Sequence, residues 1–310
     1  MKLRNMTLGD YIFAKLIGSH YLIYLIYIYP KLIQYYIEIL GKIKIINALK
    51  LFFGLNITYD NCFISKYYDL FNCIRLLSEV FNIKIERDFI VLNYKNRVLR
   101  FVRGEPIRDI VLSLIEQFRL EQYSLDPSLS FDELDVVDVG GAYVGDSAIW
   151  FALNGAKHIY ALEPYPYAFQ MAEINIRLNN IDNVTLINAG VGNVRTQIKV
   201  PNIVSNRYSQ LLESSSDGVN VPILTLKDLV RTYNIDDALL KMDCEGGCER
   251  SILYTDDDTL HRFKYMIIEY DYGYLDLMRR LKEAGFKVKR WKRPRIINDR
   301  VTGIIYAIRL

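Results

Sequence analysis

The feature that most constrains this chain is a strand, a glycine-rich turn, a helix and a second strand that follow one another from residue 134. Leu134–Val139 and His158–Leu162 are apolar runs typical of buried strands, and Ser147–Leu153 has helical character. Two parallel strands joined by a helix form a right-handed crossover in an open α/β sheet. Because ligands of such sheets bind outside the carboxyl ends of the strands, we expect a site at the turn after Val139.

The spacing of the glycines in this turn indicates which nucleotide could bind. Asp138, Gly140 and Gly145 form a D-x-G-x-x-x-x-G pattern, and Ala142 stands where a dinucleotide-binding turn has the glycine that admits a pyrophosphate. Glu163 follows the second strand, 18 residues after Gly145, where a carboxylate can accept both ribose hydroxyls. A nucleoside without a pyrophosphate fits this arrangement, and S-adenosylmethionine is the common one. The alternative is a purely structural βα turn.

We expect different parts of the cofactor to meet different strand ends. Asp138 would lie near its amino-acid portion, Glu163 would hold the ribose, and Tyr165 could cover the adenine face. The third predicted strand, Asn183–Asn188, ends where an adenine amine could be met. The predicted cofactor-binding residues are Asp138, Gly140, Gly141, Gly145, Asp146, Glu163, Pro164, Tyr165, Asn188 and Ala189.

The rest of the carboxyl-terminal half continues the alternation of strands and helices. Residues 193–222 predict a polar, hairpin-like insertion, and residues 239–247 a fourth strand that leads into a helix. Tyr265–Asp271 predicts a fifth strand, and a helix over Tyr274–Ala284 precedes a final strand pair, Phe286–Trp291 and Gly303–Arg309.

Residues from about 116 to 310 resemble the FkbM family of S-adenosylmethionine-dependent methyltransferases. The resemblance is carried by Val137–Asp146, by Leu162–Pro164 with Asn175 downstream, and by Leu240–Gly246 with Glu249 on the last acid of a K-x-D-x-E-G-x-E pattern. Gly141 and Gly247-Cys248 depart from the alanines that are usual there, and the first 85 residues are not covered. The resemblance implies O-methylation of a hydroxyl on a small molecule, sugar or glycolipid. The expected fold is α/β and Rossmann-like: the class I methyltransferase sheet of seven mostly parallel strands with a terminal antiparallel pair.

Acidic residues at the ends of the fourth and fifth strands are the candidates for the chemistry. Methyl transfer requires alignment of the acceptor and, for a hydroxyl, removal of its proton. We expect Asp243 or Glu245 to be the catalytic base or to position the acceptor, with Glu269 and Asp271 nearby. The alternative is that these acids cap the following helix or pair with Lys241. Four carboxylates could also bind Mg²⁺, an option that we do not favour, and no metal ligands are assigned.

Upstream of the turn the sequence predicts a different kind of structure. Helical spacing extends over residues 68–82 and Ile107–Phe118, and a hairpin joins Phe89–Tyr94 to Arg97–Val102. The predicted domains are a helical N-terminal region over 1–85, a β-hairpin with a helix leading into the core over 86–130, and the methyltransferase domain over 131–310.

The first fifty residues allow two interpretations. The uncharged run Leu16–Tyr29 is 14 residues long, short of the roughly 20 that cross a bilayer. Tyrosines at every third position and lysines downstream would suit peripheral membrane contact through residues 8–53. The other interpretation is a helical layer packed on the rest of the chain or on a second copy, as in a homo-oligomer.

Two rival functions remain open. Lys287, Lys289, Arg290, Trp291, Lys292, Arg293 and Arg295 could hold the phosphates and stack a base of a nucleic acid, as in an RNA methyltransferase. The other rival is a non-catalytic, membrane-associated scaffold that keeps the fold.

The spacing of the cysteines and the absence of three sequence motifs bear on the cellular location and on the class of enzyme. The four cysteines, at 62, 73, 244 and 248, match neither a C-x-x-C pair nor a paired zinc motif, which predicts reduced thiols and a cytoplasmic location, with membrane association as the alternative. The sequence has no H-E-x-x-H, no G-x-S-x-G and no P-loop, so zinc hydrolases, α/β-hydrolases and P-loop NTPases lose support.

Overall fold

The chain divides into two compact units, Leu16–Gln122 and Met1–Lys15 with Tyr123–Leu310. This computed structural model describes residues 6, 32–44, 46–47, 50, 55, 57–59, 62–64, 73–124, 129–140, 143–201, 218–244, 247–290, 295–297 and 300–310. Of the predicted membrane-contact residues 8–53, only 32–44, 46–47 and 50 are described, and the uncharged run Leu16–Tyr29 lies outside the described residues. None of the described helices is long and apolar enough to cross a bilayer.

The smaller unit combines short helices with two small sheets. Its described elements are α1 (Leu32–Ile43), β1 (Ile57–Tyr59), β2 (Cys62–Ile64), α2 (Ile74–Val80), β3 (Ile83–Ile85), β4 (Phe89–Tyr94), β5 (Arg97–Val102) and α3 (Ile107–Phe118). The hairpin β4–β5 and the helix α3 are confirmed with the predicted bounds. In the hairpin, alternating apolar residues such as Ile90 and Leu92 are buried on one face.

The predicted helix over 68–82 is shorter among the described residues. It spans only Ile74–Val80, and the Ile-Lys-Ile segment that follows forms β3, which pairs with β4. The predicted boundary between residues 85 and 86 therefore falls between two paired strands. Arg119 ties the end of α3 to this sheet, because its guanidinium donates to the carbonyl oxygens of Phe81 at 2.7 Å and Asn93 at 2.8 Å.

The larger unit contains the predicted central sheet. Its described elements are β6 (Asp135–Val139), α4 (Asp146–Leu153), β7 (His158–Leu162), α5 (Pro166–Leu178), β8 (Val184–Ile187), β9 (Gly190–Val191), β10 (Thr196–Val200), β11 (Val219–Leu224), α6 (Leu226–Tyr233), β12 (Ala238–Met242), a 3₁₀ helix (Cys248–Tyr254), α7 (Asp257–Leu260), β13 (Phe263–Tyr270), α8 (Leu275–Glu283), β14 (Phe286–Arg290), β15 (Arg295–Ile297) and β16 (Arg300–Arg309).

The strand order of the central sheet places the ligand site. The order is β14-β16-β13-β12-β6-β7-β8, with β15 paired to the start of β16. β6, β7, β8, β12 and β13 are parallel, whereas β16 is antiparallel to both β13 and β14. The predicted seven-stranded sheet with a terminal antiparallel pair is confirmed. Since the chain goes from β6 outward to β7 in one direction and later returns to β12 on the other side, a crevice opens at the carboxyl ends of β6 and β12.

The predicted insertion over 193–222 forms a second, smaller sheet. β10 and β11 pair antiparallel, and β11 also pairs parallel with β9, which gives the order β10-β11-β9. Residues 202–217 are outside the described part. Val200 and Val221 of this sheet are buried in a small apolar cluster with Tyr165 and Ala168, and Tyr143 of the glycine-rich turn packs against the cluster. The inserted sheet is therefore tied to the two loops at which the cofactor is expected.

The expectation of reduced thiols is wrong for the described cysteines. Cys244 and Cys248 form a disulfide, Cys73 is disulfide-bonded as well, and no free cysteine is found among the described residues. The sequence spacing could not indicate this bond, because it depends on the two Cα atoms lying 6.1 Å apart in the folded chain. Disulfides persist in oxidising compartments, so the cysteines no longer support the inference of an intracellular location.

Candidate functional site

The glycine-rich turn brings the ends of β6 and β12 into close contact. Gly140 has a φ of 73°, and a Cβ at this position would lie 2.3 Å from the carbonyl oxygen of Asp243 and 2.6 Å from the Cβ of Cys244. Only glycine fits this conformation and this space. Gly145 is the N-cap of α4 and has a φ of 76°, and the buried Asn175 fixes the turn by donating to the Val144 carbonyl oxygen at 2.9 Å. Gly141 is outside the described residues.

A buried ion pair lies directly beneath the turn. Asp138 of β6 faces Lys241 of β12 in the sheet register, and Lys241 Nζ is 2.9 Å from Asp138 Oδ1. Ser147 Oγ donates to Asp138 Oδ2 at 2.6 Å, and both members of the ion pair are almost fully buried. Burial alone would lower the pKa of Lys241, but the carboxylates of Asp138 and Asp243 hold that pKa above its ordinary value. Asp138 does not line the cavity described below, so in this structure its carboxylate anchors the strand ends.

Tyr123 holds the carboxylate of Asp243. The Tyr123 hydroxyl donates to Asp243 Oδ2, and the tyrosine ring stacks on Phe151 with centroids 5.9 Å apart. Lys241 Nζ lies 5.2 Å from the centroid of the same ring and 4.0 Å from Asp243 Oδ2. Burial, together with the nearby Asp243, raises the pKa of Tyr123 well above its ordinary value, so the hydroxyl stays a donor. The side chain of Asp243 is 29% exposed, which leaves an oriented carboxylate at the open end of β12.

Sequence reasoning missed Tyr123. It is 120 residues from Asp243 along the chain, and it belongs to no periodic pattern or motif. The only sequence signal was an aromatic residue shortly before the predicted methyltransferase domain, which does not indicate a role.

Glu163 occupies the predicted place at the end of β7, and it is buried. The Tyr165 backbone N–H donates to Glu163 Oε1 at 2.9 Å. Burial raises the pKa of the Glu163 carboxyl to about 8. Asn188 Nδ2 donates to the carbonyl oxygen of Glu163 at 2.8 Å, so this predicted adenine contact fixes the backbone after β7.

A cavity of about 470 Å³ lies at the carboxyl ends of β6, β7, β8 and β12. Four predicted cofactor residues line it: Gly140, Pro164, Tyr165 and Ala189. Cys244 and the 3₁₀ helix form one wall, and the sheet β9–β11 forms another. This volume falls in the range of about 300–1,000 Å³ that small-molecule sites have.

The remaining predicted site residues lie outside this cavity or outside the described chain. Asp146 is the first residue of α4 and is buried away from the cavity. Glu245 is not described. Glu249 is buried, its Oε1 accepts from the Asp271 backbone N–H at 3.4 Å, and burial raises its pKa to about 7. Within the described ranges, no group of three histidine, cysteine or acidic residues could hold a metal ion.

A family comparison identifies the domain that contains this site. The family described as "Methyltransferase FkbM domain" matches residues 138–288, a range that includes the glycine-rich turn, Glu163 and Asp243. Residues 138–288 belong to the FkbM methyltransferase family. The predicted family is confirmed, and the fold of the FkbM domain is that of the class I, S-adenosylmethionine-dependent methyltransferases.

Several solved structures are similar to the chain at low identity. A methyltransferase FkbM from Methylobacillus flagellatus is 19% identical, with a TM-score of 0.41, and the match covers 64% of this chain and 54% of that one. TYW2 from M. jannaschii, solved in complex with AdoMet, is 14% identical, with a TM-score of 0.38 and coverage of 73% and 89%. An rRNA methylase from Streptococcus thermophilus is 15% identical, with a TM-score of 0.37 and coverage of 67% and 98%. No curated protein sequence matches the chain.

The site residues fit S-adenosylmethionine. At Gly140 the backbone of the FkbM domain comes to within contact distance of the β12 end only because no Cβ is present, and the cavity begins at that point. Glu163 is a buried carboxyl whose backbone neighbours, Pro164 and Tyr165, line the same cavity. Glu163 itself is not among the residues that line the cavity, so it adjoins the cavity through these two neighbours.

Proposed function

We propose that the chain transfers the methyl group of S-adenosylmethionine to a hydroxyl oxygen of a small molecule, sugar or glycolipid. The observation that carries this proposal is the oriented carboxylate of Asp243, which lies at the end of β12 beside Gly140 and is partly exposed. A carboxylate in that position can accept the proton of a hydroxyl as the carbon–oxygen bond forms.

Three groups of residues would bind the cofactor. The turn from Gly140 to Gly145 would hold its amino-acid portion, Glu163 the ribose, and Tyr165 with Ala189 the adenine. The cofactor supplies a methyl group activated by a sulfonium. The protein aligns the acceptor oxygen with that methyl group and keeps the reacting atoms in a fixed geometry.

Asp243 is the proposed base or acceptor-positioning group. Tyr123 and Lys241 hold its carboxylate in one orientation, so little reorganisation is needed when the proton is transferred. Glu245 remains the alternative proposed from the sequence.

Calorimetric titration with S-adenosylhomocysteine tests the cofactor site. We expect micromolar binding by the wild type and loss of binding by Glu163→Ala. Asp243→Asn should bind S-adenosylhomocysteine as the wild type does. If the folded wild type does not bind, the methyltransferase proposal is wrong and the scaffold alternative gains support.

The acceptor class is tested with methyl-tritiated S-adenosylmethionine and separate glycolipid, small-metabolite and RNA fractions. We expect label in one of the first two fractions and a loss of about 10²- to 10⁴-fold with Asp243→Asn. Label confined to RNA would contradict the proposed acceptor.

RNA is the second candidate acceptor because of the basic strand pair at the sheet edge. Lys287 and Lys289 of β14 are exposed and lie on the same face, since they are two residues apart in a strand. Trp291, Lys292 and Arg293 lie outside the described residues. Phosphate contacts would make RNA binding fall steeply between 50 and 200 mM salt, so weak salt dependence would count against RNA.

A further inference from the structure

One isoleucine of the inserted sheet fills the space beside two glycines of the cavity wall. In the register, Ile223 of β11 lies between Gly190 of β9 and Thr196 of β10. Its Cδ1 is 2.7 Å from the position that a Cβ of Gly190 would take, and its Cγ2 is 2.7 Å from the corresponding position at Gly192. The volume that two neighbouring side chains would need is therefore occupied by Ile223 alone.

This isoleucine and both glycines line the cofactor cavity. Val191, Val194 and Ile198 line it as well, beside the polar Asn193 and Thr196, so this end of the cavity is mainly apolar. Ile223 is only partly buried, which leaves part of its side chain facing the cavity.

The residues around Ile223 show which part of the cavity this is. The Cβ position of Gly190 lies 3.7 Å from the Cβ of Pro164, and Pro164, Tyr165 and Ala189 line the cavity together with Ile223. Tyr165 and Ala189 are the residues proposed to contact the adenine. If they do, the purine base lies next to Ile223.

We propose that Ile223 sets the size of the purine pocket and so determines which substituents on the adenine amine the protein accepts. This inference rests on the proposed function, because it takes S-adenosylmethionine as the ligand. Truncation of Ile223 leaves a void bounded by Gly190 and Gly192, which have no side chains that could refill it.

The test is calorimetric titration of the full chain with two probes, S-adenosylhomocysteine and its N6-benzyl derivative. We expect the wild type to bind the benzyl derivative about 100-fold more weakly than S-adenosylhomocysteine, since the substituent meets Ile223. Ile223→Ala should bind S-adenosylhomocysteine about 3- to 10-fold more weakly, because apolar contact is lost, and should reduce the discrimination to about 5-fold or less. Ile223→Val, a smaller change that keeps the β-branched side chain, should give an intermediate discrimination.

Two matched variants control for indirect effects. Val219→Ala truncates an exposed residue of the same strand that does not line the cavity, and it should change neither affinity. The double variant Ile223→Ala/Gly192→Ala places a methyl group where the isoleucine had been, and it should restore much of the discrimination against the benzyl derivative.

The outcomes separate the inference from the proposed function. If Ile223→Ala and Ile223→Val bind S-adenosylhomocysteine but discriminate as the wild type does, the role of Ile223 is wrong and the cofactor site stands. If the wild type binds both probes equally, Ile223 does not limit the pocket. If the folded wild type binds neither probe, the proposed function fails and this inference fails with it.

Discussion

At the scale of single residues, Glu163 has a property that the sequence could not reveal. Burial raises the pKa of its carboxyl to about 8, so the side chain is mostly neutral at pH 7 in the unliganded protein. A carboxylate accepts two ribose hydroxyls better than a neutral acid does, because the neutral form uses one oxygen as a donor. Cofactor binding should therefore involve the release of a proton from Glu163.

The first prediction is that affinity for S-adenosylhomocysteine depends on pH. Below the pKa of about 8, affinity should fall by up to about tenfold per pH unit as the pH decreases toward 6. Glu163→Gln should bind more weakly at pH 8, with no such dependence. Calorimetry over this range measures both, and Glu173→Gln, which changes an exposed acid on α5, should behave as the wild type does. A flat profile for the wild type would contradict the prediction.

The second prediction concerns Tyr123. Tyr123→Phe removes the donor to Asp243 while keeping the ring between Phe151 and Lys241. A hydrogen bond to a charged group contributes roughly 1.5–3 kcal/mol, so the free energy of unfolding should fall by about that amount. Urea denaturation measures it. Tyr254→Phe, at a residue that is 70% exposed, should change stability little. An equal loss of stability in both variants would contradict the contribution assigned to the Tyr123 hydroxyl.

At the scale of elements, the turn between β6 and α4 couples two strands through Gly140. Two separate demands act on this residue: a left-handed backbone conformation and the absence of a side chain beside Asp243 and Cys244. Gly285, after α8, has a similar φ of 84° but no atom within 4 Å of its Cβ position. Alanine substitutions at Gly285 and Gly140 therefore separate the effect of backbone strain, which is present at both positions, from the effect of steric overlap, which is present only at Gly140.

The third prediction uses this pair. Gly285→Ala should cost about 1–2 kcal/mol of stability, the price of a left-handed conformation for an alanine, and should leave S-adenosylhomocysteine binding unchanged. Gly140→Ala should cost more, because the added methyl group overlaps the end of β12, and should abolish binding. Chemical denaturation and calorimetry on both variants check this. Equal losses of stability, with binding kept in Gly140→Ala, would show that the contact between the strand ends is not needed.

At the scale of the whole molecule, two buried acids set how stability responds to pH. Burial raises the pKa of Glu163 to about 8 and that of Glu249 to about 7, whereas the ordinary value is 4.5. At pH values between the ordinary pKa of 4.5 and these raised pKa values, the folded state keeps protons that the unfolded state has released. The free energy of unfolding must then decrease as pH rises from about 5 to 8.

The fourth prediction follows directly. The midpoint of urea denaturation should fall between pH 5 and pH 8, and the double variant Glu163→Gln/Glu249→Gln should have a much flatter profile. The single variants should each remove part of the slope, with Glu249→Gln acting mainly below pH 7. Stability that increases over this range in the wild type would contradict the assignment of these two acids.

Much of the fold could be predicted from local patterns. The hairpin β4–β5 alternates apolar and polar residues on both sides of Lys95-Asn96, and its bounds are as predicted. Helix α6 was not predicted because it follows a polar insertion, although Thr225 and Asp228 form a capping box that marks its start. β3 was not predicted because its three residues are too few to show a period of two.

Residues of the candidate site could be predicted only where a reactive or glycine residue directly follows a predicted strand. Gly140, Glu163 and Asp243 each come directly after a buried strand, so topology brings them together. Tyr123 and Ile223 come from outside that pattern, and their roles depend on contacts between distant parts of the chain. The disulfide between Cys244 and Cys248 likewise depends on the distance between the two residues in the folded chain, which their spacing does not fix.

The lysines of β14 have a further consequence for how copies of this molecule behave at high concentration. β14 is the last of the described strands on its side of the central sheet, and an outer strand offers backbone groups to which another chain can add. Lys287 and Lys289 are exposed there, so a second copy that approached edge to edge would bring like charges together. A charged outer strand of this kind disfavours the addition of a second chain at the sheet edge, and so works against aggregation.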